Sequence, residues 1–213
     1  MSRLDMFTQA YWDDRYGGHR HVWSGQPNPY LVTETAELTP GRAIDVGCGE
    51  GADAIWLARQ GWQVTGADVS PVGLERAAHN ADTAGVEIAQ RIAWRQVDLF
   101  ADEWMPLGSY ELVSSQYLHL PPDLRAQSMQ RLADAVAPGG DVLVAAHHPS
   151  DLEIPGLRPH VPELFCTADE LAAHLDDADW EIITAAAPQR SVNGPEGTPV
   201  TIRDAVLRAR RRG

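Results

Sequence analysis

The chain is 213 residues long with a mass of 23.3 kDa, which suits one α/β domain with modest additions. Its 17 basic and 30 acidic residues give a formal net charge of −13, and a field of that sign repels phosphate backbones and anionic lipids. All of the basic residues are arginine, which excludes a Walker-type phosphate loop and a pyridoxal Schiff base, since both need a lysine amine. The composition therefore predicts a folded protein whose partners are neither nucleic acid nor a membrane.

The two cysteines, Cys48 and Cys166, are too few and too far apart to form a disulfide framework or a zinc ribbon. No run of the sequence approaches the roughly 18 apolar residues of a membrane span. The N-terminus lacks the apolar region of a secretion signal. These features predict a protein of the reducing cytoplasm.

Residues 1–40 precede the first predicted strand and are rich in aromatic side chains, namely Tyr11, Trp12, Tyr16, Trp23 and Tyr30. We expect this region to be an N-terminal helical lid over a single domain that comprises residues 41–213. The alternative is an amphipathic helix whose aromatic side chains are ordinary core residues.

From residue 42 to residue 146 the sequence alternates short β-rich runs with helical patterns, which is typical of βαβ units and a mostly parallel sheet. Ser70 is a good N-cap and Pro71 a good first residue, so they predict a helix over 71–84 that stops at Gly85. Other predicted helices cover about 52–60, a stretch from Pro121 and Pro122 to Pro138, and a stretch capped by Thr167. The predicted strands lie at about 43–46, 63–67, 92–97, 110–115, 142–146, 180–185 and 199–207.

The C-terminus is basic, with arginine at positions 208, 210, 211 and 212. A basic end of this kind is more often a frayed, solvated terminus than a binding arm. We therefore expect it to have no function.

A glycine-rich turn follows the first predicted strand, in the sequence IDVGCGEGAD from Ile44 to Asp53. Gly47, Gly49 and Ala52 satisfy the G-x-G-x-x-G/A pattern, whose glycines permit a tight turn and close approach of the backbone to a ligand at a helix N-terminus. The pattern alone is compatible with several nucleotide cofactors, including the nicotinamide dinucleotides.

Three aspartates end three successive predicted strands and restrict that choice. Asp45 precedes the first glycine, where a carboxylate repels a pyrophosphate but accepts an ammonium group. Asp68 ends the second strand, where an acidic side chain accepts hydrogen bonds from ribose hydroxyls. Asp98 ends the third strand and is placed to accept from the exocyclic amine of adenine. A ligand with an ammonium group, a ribose and an adenine satisfies all three carboxylates.

These motifs, DVGCGEG at 45–51, GADVS at 66–70 and VDL at 97–99, resemble the first three motifs of class I S-adenosylmethionine-dependent methyltransferases. The resemblance implies an α/β Rossmann-like sheet of seven mostly parallel strands with the last antiparallel, and helices on both faces. It also implies S-adenosylmethionine as cofactor, held by the domain at 41–213. The residues it assigns to that cofactor are Asp45, Gly47, Gly49, Asp68, Val69, Asp98, Leu99 and Gln116.

The segment WSGQPNPYL at 23–31 is similar to the part that closes over the cofactor in small-molecule methyltransferases of the tellurite-resistance and thiopurine type. Trp23 would then contribute to the cofactor site, because an aromatic ring stabilises a desolvated sulfonium by about 1–2 kcal/mol. The acceptor implied is a small molecule that offers oxygen, nitrogen, sulfur or a metalloid.

Methyl transfer is an in-line displacement for which the protein supplies alignment and, for some acceptors, a base. The candidate bases are His119, after the fourth predicted strand, and His147, at the end of the fifth. The alternative for His119 is a capping or packing role beside Pro121. A metal site that joins His19 and His21 to His147 and His148 lacks a matching carboxylate or cysteine spacing, so we expect no metal.

Two other functions remain compatible with the sequence. A nicotinamide-dependent reductase would use the glycine pattern and Asp68, although Asp45 and Asp98 argue against it. A cofactor-binding protein without turnover would retain the same motifs. Binding of S-adenosylmethionine separates the first from methyl transfer, and activity on a panel of acceptors separates the second.

Overall fold

The computed structural model describes residues 8–18, 21–101, 107–158 and 160–213. Its helices are α1 (Gln9–Tyr16), α2 (Pro29–Thr35), α3 (Ala52–Arg59), α4 (Pro71–Ala84), α5 (Val86–Ala89), α6 (Pro122–Ala135) and α7 (Ala168–Ala172). Its strands are β1 (Arg42–Val46), β2 (Gln63–Asp68), β3 (Ile92–Gln96), β4 (Tyr110–Gln116), β5 (Val136–His147), β6 (Trp180–Ala186), β7 (Gln189–Asn193) and β8 (Pro199–Arg211). Short 3₁₀ turns lie at Pro149–Glu153, Pro162–Leu164 and Pro195–Gly197.

Seven of these strands form a continuous sheet in the order β3-β2-β1-β4-β5-β8-β6. The pairs from β3 to β5 are parallel, whereas β8 is antiparallel to both β5 and β6. The prediction of a Rossmann-like, mostly parallel sheet with an antiparallel last strand is confirmed. Because parallel strands are joined by helical crossovers, their carboxyl ends all meet at one edge.

Each face of the sheet is covered by its own apolar cluster, because neighbouring residues of a strand point to opposite faces. On β1, Ile44 and Val46 belong to a cluster that includes Met129 and Leu132 of α6. Ala43 belongs to the other cluster, which includes Leu57 of α3 and is completed by the residues Leu31, Trp62, Leu112 and Leu143. The helices therefore lie on both faces, as predicted.

Helix α4 shows how local chemistry sets an element's bounds. The hydroxyl of Ser70 accepts a hydrogen bond from the amide of Gly73 at 3.0 Å, which satisfies one of the free donors of the first turn. Pro71 occupies the first helical position, and the chain leaves the helix at Gly85 with φ of 128°. The predicted helix over 71–84 is confirmed at both ends.

The structure differs from the prediction in β5 and β7. Strand β5 begins at Val136 and includes Pro138, Gly139 and Gly140, which the sequence analysis places between elements. The register between β4 and β5 shifts near this point, between Tyr110 and Leu112, so the early part of β5 is irregular. Strand β7 was not predicted, because it is a short, partly exposed strand that pairs with β8 alone.

The basic C-terminus is ordered, and the prediction of a frayed end is wrong. Arg208 and Arg210 lie in β8, and their guanidinium groups bind the buried carboxylate of Asp141 at 3.0 Å and 3.3 Å. Arg211 donates to the carbonyl of Val136 at 2.7 Å. The cause is a partner far away in sequence, since a buried carboxylate on β5 requires a positive charge beside it.

We expect Leu143→Ala to lower the free energy of unfolding by about 2–5 kcal/mol, because it leaves a cavity in the central strand β5. Leu143 is 0% exposed. Leu107→Ala is the control: that side chain is 74% exposed, and its loss should change stability by no more than about 0.5 kcal/mol. Equal effects of the two changes in urea denaturation would contradict the assignment of the core.

Candidate active site

The predicted site residues lie at the carboxyl edge of the sheet. In the strand register Asp45 of β1 faces Gly66 of β2 and Ser114 of β4. Gln116 ends β4 and is paired with Ala145 of β5. The remaining predicted residues follow strand ends or end a strand themselves: Asp68, Val69, Asp98, Leu99, His119 and His147.

The glycine turn between β1 and α3 depends on backbone conformations that favour glycine. Gly47, Gly49 and Gly51 have φ values of 74°, 52° and 84°. A Cβ on Gly49 would lie 2.7 Å from the hydroxyl of Tyr16, and one on Gly51 would lie 2.7 Å from the ring of Trp94. Glycine is therefore required at both positions by conformation and by space.

The carboxylate of Asp68 holds this turn against the end of β2. It accepts the amide of Gly49 at 2.9 Å and the amide of Ser70 at 2.9 Å. The amides of Gly47 and Cys48 donate to the carbonyl of Ala67 at 2.8 Å and 3.1 Å. A carboxylate has about four acceptor positions, so these bonds leave Asp68 able to accept hydroxyl groups of a ligand as well.

Asp45 is a buried carboxyl group with an oxygen atom that lacks a hydrogen-bond partner. Its side chain is 2% exposed, and its Oδ2 atom has no hydrogen-bond partner. Burial raises the pKa of Asp45 well above its usual range, and the carboxylates of Asp53 and Asp68 raise it further. A buried carboxylate with an unpartnered oxygen beside the glycine turn fits the ammonium group of an amino-acid-bearing ligand.

The other predicted cofactor residues are placed as follows. Leu99 is buried and Val69 is half-buried. Asp98 is exposed, and its Oδ1 atom accepts the amide of Phe100 at 2.8 Å, the hydrogen bond of a local turn. The amide nitrogen of Gln116 donates to Ser114 at 2.9 Å, and its buried Oε1 atom has no partner.

Two acidic residues that the sequence analysis did not select attach the N-terminal segment, defined as residues 8–18 and 21–40, to the glycine turn. The Oε2 atom of Glu50 accepts the amides of Val22 and Trp23 at 2.9 Å and 3.0 Å. Asp53 accepts the amide of Asn28 at 2.6 Å. Both acids belong to the glycine-rich stretch, and a sequence shows only their charge and not these distant partners.

The aromatic residues of the N-terminal segment cover the turn directly. Tyr16 is 3% exposed, and its hydroxyl accepts the indole N–H of Trp23 at 3.1 Å. Trp12 stacks on Tyr16 with ring centroids 5.7 Å apart, and the guanidinium of Arg15 lies 5.3 Å from the ring centre of Trp23. Trp23 itself is 47% exposed, so its outer face is open to solvent.

The two candidate bases meet although they come from different loops. The rings of His119 and His147 are stacked with centroids 4.5 Å apart, and Tyr117 lies 4.7 Å from His147. Burial lowers the pKa of His119 to about 3 and also lowers the pKa of His147. Both imidazoles are therefore neutral near pH 7, and a neutral imidazole is the form that accepts a proton.

A buried carboxylate that the sequence analysis missed lies beside these histidines. Asp204 of β8 is 0% exposed, and its Oδ1 atom lies 3.4 Å from Nδ1 of His147. Its Oδ2 atom accepts the hydroxyl of Tyr30 at 3.0 Å and Nε of Arg190 at 2.5 Å. Asp204 lies within a long strand and is not part of a recognised motif, so the sequence around it does not indicate a contact with His147.

An open sheet with a glycine turn and acidic side chains at its carboxyl edge defines a nucleoside-cofactor-binding α/β protein. A family model described as a methyltransferase domain matches residues 43–140. A probable thiol methyltransferase 2 of Arabidopsis thaliana is 27% identical over 154 residues, covering 67% of this chain and 66% of that protein. A thiopurine S-methyltransferase of Vibrio cholerae is 29% identical over 148 residues, covering 64% and 68%.

The fold gives the same result. A solved structure from work on the conversion of a disulfide bond into a thioacetal group during echinomycin biosynthesis has a TM-score of 0.74 and 25% sequence identity. The alignment covers 96% of this chain and 92% of that one. This chain matches about two thirds of the length of its curated relatives.

These findings support a class I S-adenosylmethionine-dependent methyltransferase, with S-adenosylmethionine as the cofactor. The comparisons support methyl transfer to a small molecule, and they do not support the nicotinamide-dependent alternative. The resemblance drawn from the three motifs is thereby confirmed.

Within the described ranges, no helix is both long and apolar enough to cross a bilayer. Across the same residues, no group of three or more His, Cys, Asp or Glu side chains is arranged to hold a metal ion. His19, one of the candidate ligands considered from the sequence, lies outside the described residues.

We expect Glu50→Gln to speed hydrogen exchange at the amides of Val22 and Trp23 by roughly 10-fold or more, because each loses a bond to a charged acceptor. Glu111→Gln is a matched control at the other end of the sheet, since Glu111 accepts the amide of Arg42 at 2.6 Å and pairs with its guanidinium. Exchange at Val22 and Trp23 that is unchanged in Glu50→Gln would show that Glu50 does not hold the segment.

Proposed function

We propose that this protein transfers a methyl group from S-adenosylmethionine to a sulfur atom of a small-molecule thiol, with His147 as the general base. The observation that carries the proposal is the position of His147: a neutral imidazole, 12% exposed, at the carboxyl end of β5, on the edge of the sheet that carries the glycine turn. When bound, the cofactor supplies a methyl group activated by a positively charged sulfur.

The contacts and burial of each side chain support its proposed role in binding the cofactor. Asp45 offers an unpartnered buried carboxylate oxygen to the ammonium group, and Gly47 and Gly49 give close approach to the backbone. Asp68 has remaining acceptor positions for the ribose hydroxyls. Val69, Leu99, Asp98 and Gln116 are the candidates for the adenine end, and Trp23 for the sulfonium.

The neutral state of His147 supports its role as a general base. A thiol is a better nucleophile as its thiolate, so a neutral histidine that takes its proton accelerates the transfer. His147 is the better candidate because Asp204 supports it, whereas the buried Nδ1 atom of His119 has no partner. His119 then acts beside it, as a wall of the acceptor pocket that stacks on the base.

The choice of sulfur rests on the relatives. A probable thiol methyltransferase and a thiopurine S-methyltransferase are named for sulfur acceptors, and the structural neighbour concerns a disulfide and a thioacetal. Tyr117 and Phe165 lie 4.7 Å and 6.1 Å from the ring of His147, which favours a flat or apolar acceptor. The net charge of −13 supports an acceptor other than nucleic acid.

We assign residues 1–40 as a lid and residues 41–213 as the cofactor-binding domain, since Glu50 and Asp53 attach the N-terminal segment to the cofactor turn. Residues 1–7 and 19–20 of that lid lie outside the described residues. The two reduced cysteines, which form no disulfide, support a place in the reducing cytoplasm.

We expect S-adenosylmethionine to bind more tightly as pH rises above the ordinary pKa of an aspartate, which is about 3.9. The pKa of Asp45 is raised in the free protein, and an ammonium group binds only the ionised form, so affinity increases as Asp45 loses its proton and then levels off. Asp45→Asn should weaken binding roughly 10- to 100-fold. It should also reduce the number of protons released on binding by up to one, so that the affinity depends less on pH.

Isothermal titration at several pH values measures both effects. Asp141→Asn is the matched control, since Asp141 is also buried but lies in the middle of β5, where it pairs with Arg208 and Arg210. An unaltered pH dependence in Asp45→Asn would remove Asp45 from the ammonium site.

We expect His147→Gln to lower kcat by about 10²- to 10⁴-fold while the affinity for S-adenosylmethionine stays within about twofold, because a base acts on the acceptor and not on cofactor binding. The assay follows formation of S-adenosylhomocysteine with a panel of aromatic and aliphatic thiols, with matched phenols and alcohols for comparison. His79→Gln, at an exposed histidine on α4, is the control.

Turnover of phenols but of no thiol would overturn the assignment of sulfur as the acceptor atom. It would not contradict the role of His147 as the general base. Full activity in His147→Gln would overturn the base. Binding of the cofactor with no turnover of any acceptor would favour the protein without catalytic activity.

A further inference from the structure

Asp204 connects three parts of the chain that are distant in sequence. It lies on β8 and contacts His147 of β5, Arg190 of β7 and Tyr30 of α2. The terminal guanidinium nitrogen Nη2 of Arg190 extends the network, since it donates to the hydroxyl of Tyr117 at 3.2 Å. Asp204 is 0% exposed, whereas the side chain of Arg190 is 32% exposed. A fully buried carboxylate with one cationic partner and two neutral ones is a costly arrangement that needs a reason.

The charge of Asp204 fixes the position of the proton on His147. Burial opposes ionisation of Asp204, but its bonds to His147 and Arg190 lower its pKa to about 2. An ionised carboxylate only accepts hydrogen bonds, so the Nδ1 atom of His147 must carry the proton. The lone pair then lies on Nε2, which is the atom free to accept a proton from an acceptor.

The basicity of His147 is set by several charges that face it. Burial lowers its pKa, the bond to Asp204 raises it and the charge of Arg158 lowers it, while Asp204 and Asp151 raise it by their charge. His119 and Tyr117 pack against the ring as neutral groups. The guanidinium of Arg190 binds the carboxylate of Asp204 at 2.5 Å and partly neutralises it. Asp204 therefore raises the pKa of His147 less than it would without Arg190.

We propose that Asp204 and Arg190 are positioning residues: Asp204 holds the Nδ1–H tautomer of His147, and Arg190 offsets the charge of Asp204 so that His147 stays neutral. This inference rests on the proposed function, in which His147 is the base. Tyr30 adds a third donor from the N-terminal segment. Its pKa is raised to about 12 by burial and by Asp204, so it remains a hydrogen-bond donor throughout the working pH range.

The two residues make opposite predictions for the same histidine. Arg190→Gln leaves the charge of Asp204 uncompensated and should raise the pKa of His147 by roughly half to one unit. Asp204→Asn removes that charge, so it should lower the pKa of His147 and allow the Nε2–H tautomer. Arg190→Lys keeps the positive charge and should restore the pKa found in the unchanged protein. A general loosening of the structure would move both variants in the same direction.

The experiment is a pH titration by NMR of the full chain with ¹⁵N- and ¹³C-labelled histidine, saturated with S-adenosylhomocysteine. Resonances of His147 and His119 are assigned with His147→Gln and His119→Gln. The ring ¹⁵N shifts report the tautomer, and the titration curves report the pKa. Because no acceptor is needed, the result does not depend on whether a thiol is the substrate.

The matched control is Asp141→Asn, which removes another buried aspartate with arginine partners from the same pair of strands. It should leave the tautomer and the titration of His147 unchanged. An Nε2–H tautomer in the unchanged protein would overturn the proposal, as would shifts of the same sign in Arg190→Gln and Asp204→Asn. If Asp204→Asn does not fold, two other measurements still test the proposal. They are the tautomer of His147 in the unchanged protein and the pKa of His147 in Arg190→Gln and Arg190→Lys.

Discussion

The bond from the amide of Gly49 to the carboxylate of Asp68 is the interaction on which the rest of the site depends. It joins the turn after β1 to the end of β2 at 2.9 Å, and the two amides that donate to Ala67 strengthen the same junction. The turn held in this way presents Glu50 and Asp53, which in turn bind the backbone of the N-terminal segment. The sheet, the glycine turn and the N-terminal segment are therefore connected, so that a change at Asp68 affects all three.

The same junction concentrates negative charge. Burial raises the pKa of Asp53 to about 6 and raises the pKa values of Asp45 and Asp68 as well. An acid whose pKa is higher in the folded state favours folding while it is protonated, and its ionisation opposes folding. The stability that the protonated form contributes is therefore lost as pH rises from about 4 through the folded pKa. Ionisation of these carboxylates therefore opposes folding, and in the proposed function the ammonium group of the cofactor offsets part of that cost. Such a site trades stability for affinity.

The elements with local signals were predictable from the sequence. Ser70, Pro71 and Gly85 mark the ends of α4 by chemistry that acts within a few residues, and the glycine turn is recognised by its spacing. The acidic residue of β8 could not be found in this way, because its partners Tyr30 and His147 are 174 and 57 residues distant. The short strand β7 could not be predicted for a related reason: it pairs only with β8, which lies later in the chain.

A comparison within the β5–β8 pair shows why position decides the role of a buried carboxylate. At one end Asp141 is paired with Arg210 in the register and is surrounded by arginines whose charge does not change with pH. At the other end His147 is paired with Asp204, so the carboxylate faces a group that can take up a proton. The first arrangement can only hold strands together. The second lies at the carboxyl edge of the sheet, which also carries the glycine turn, and there a group that takes up a proton suits the proposed function.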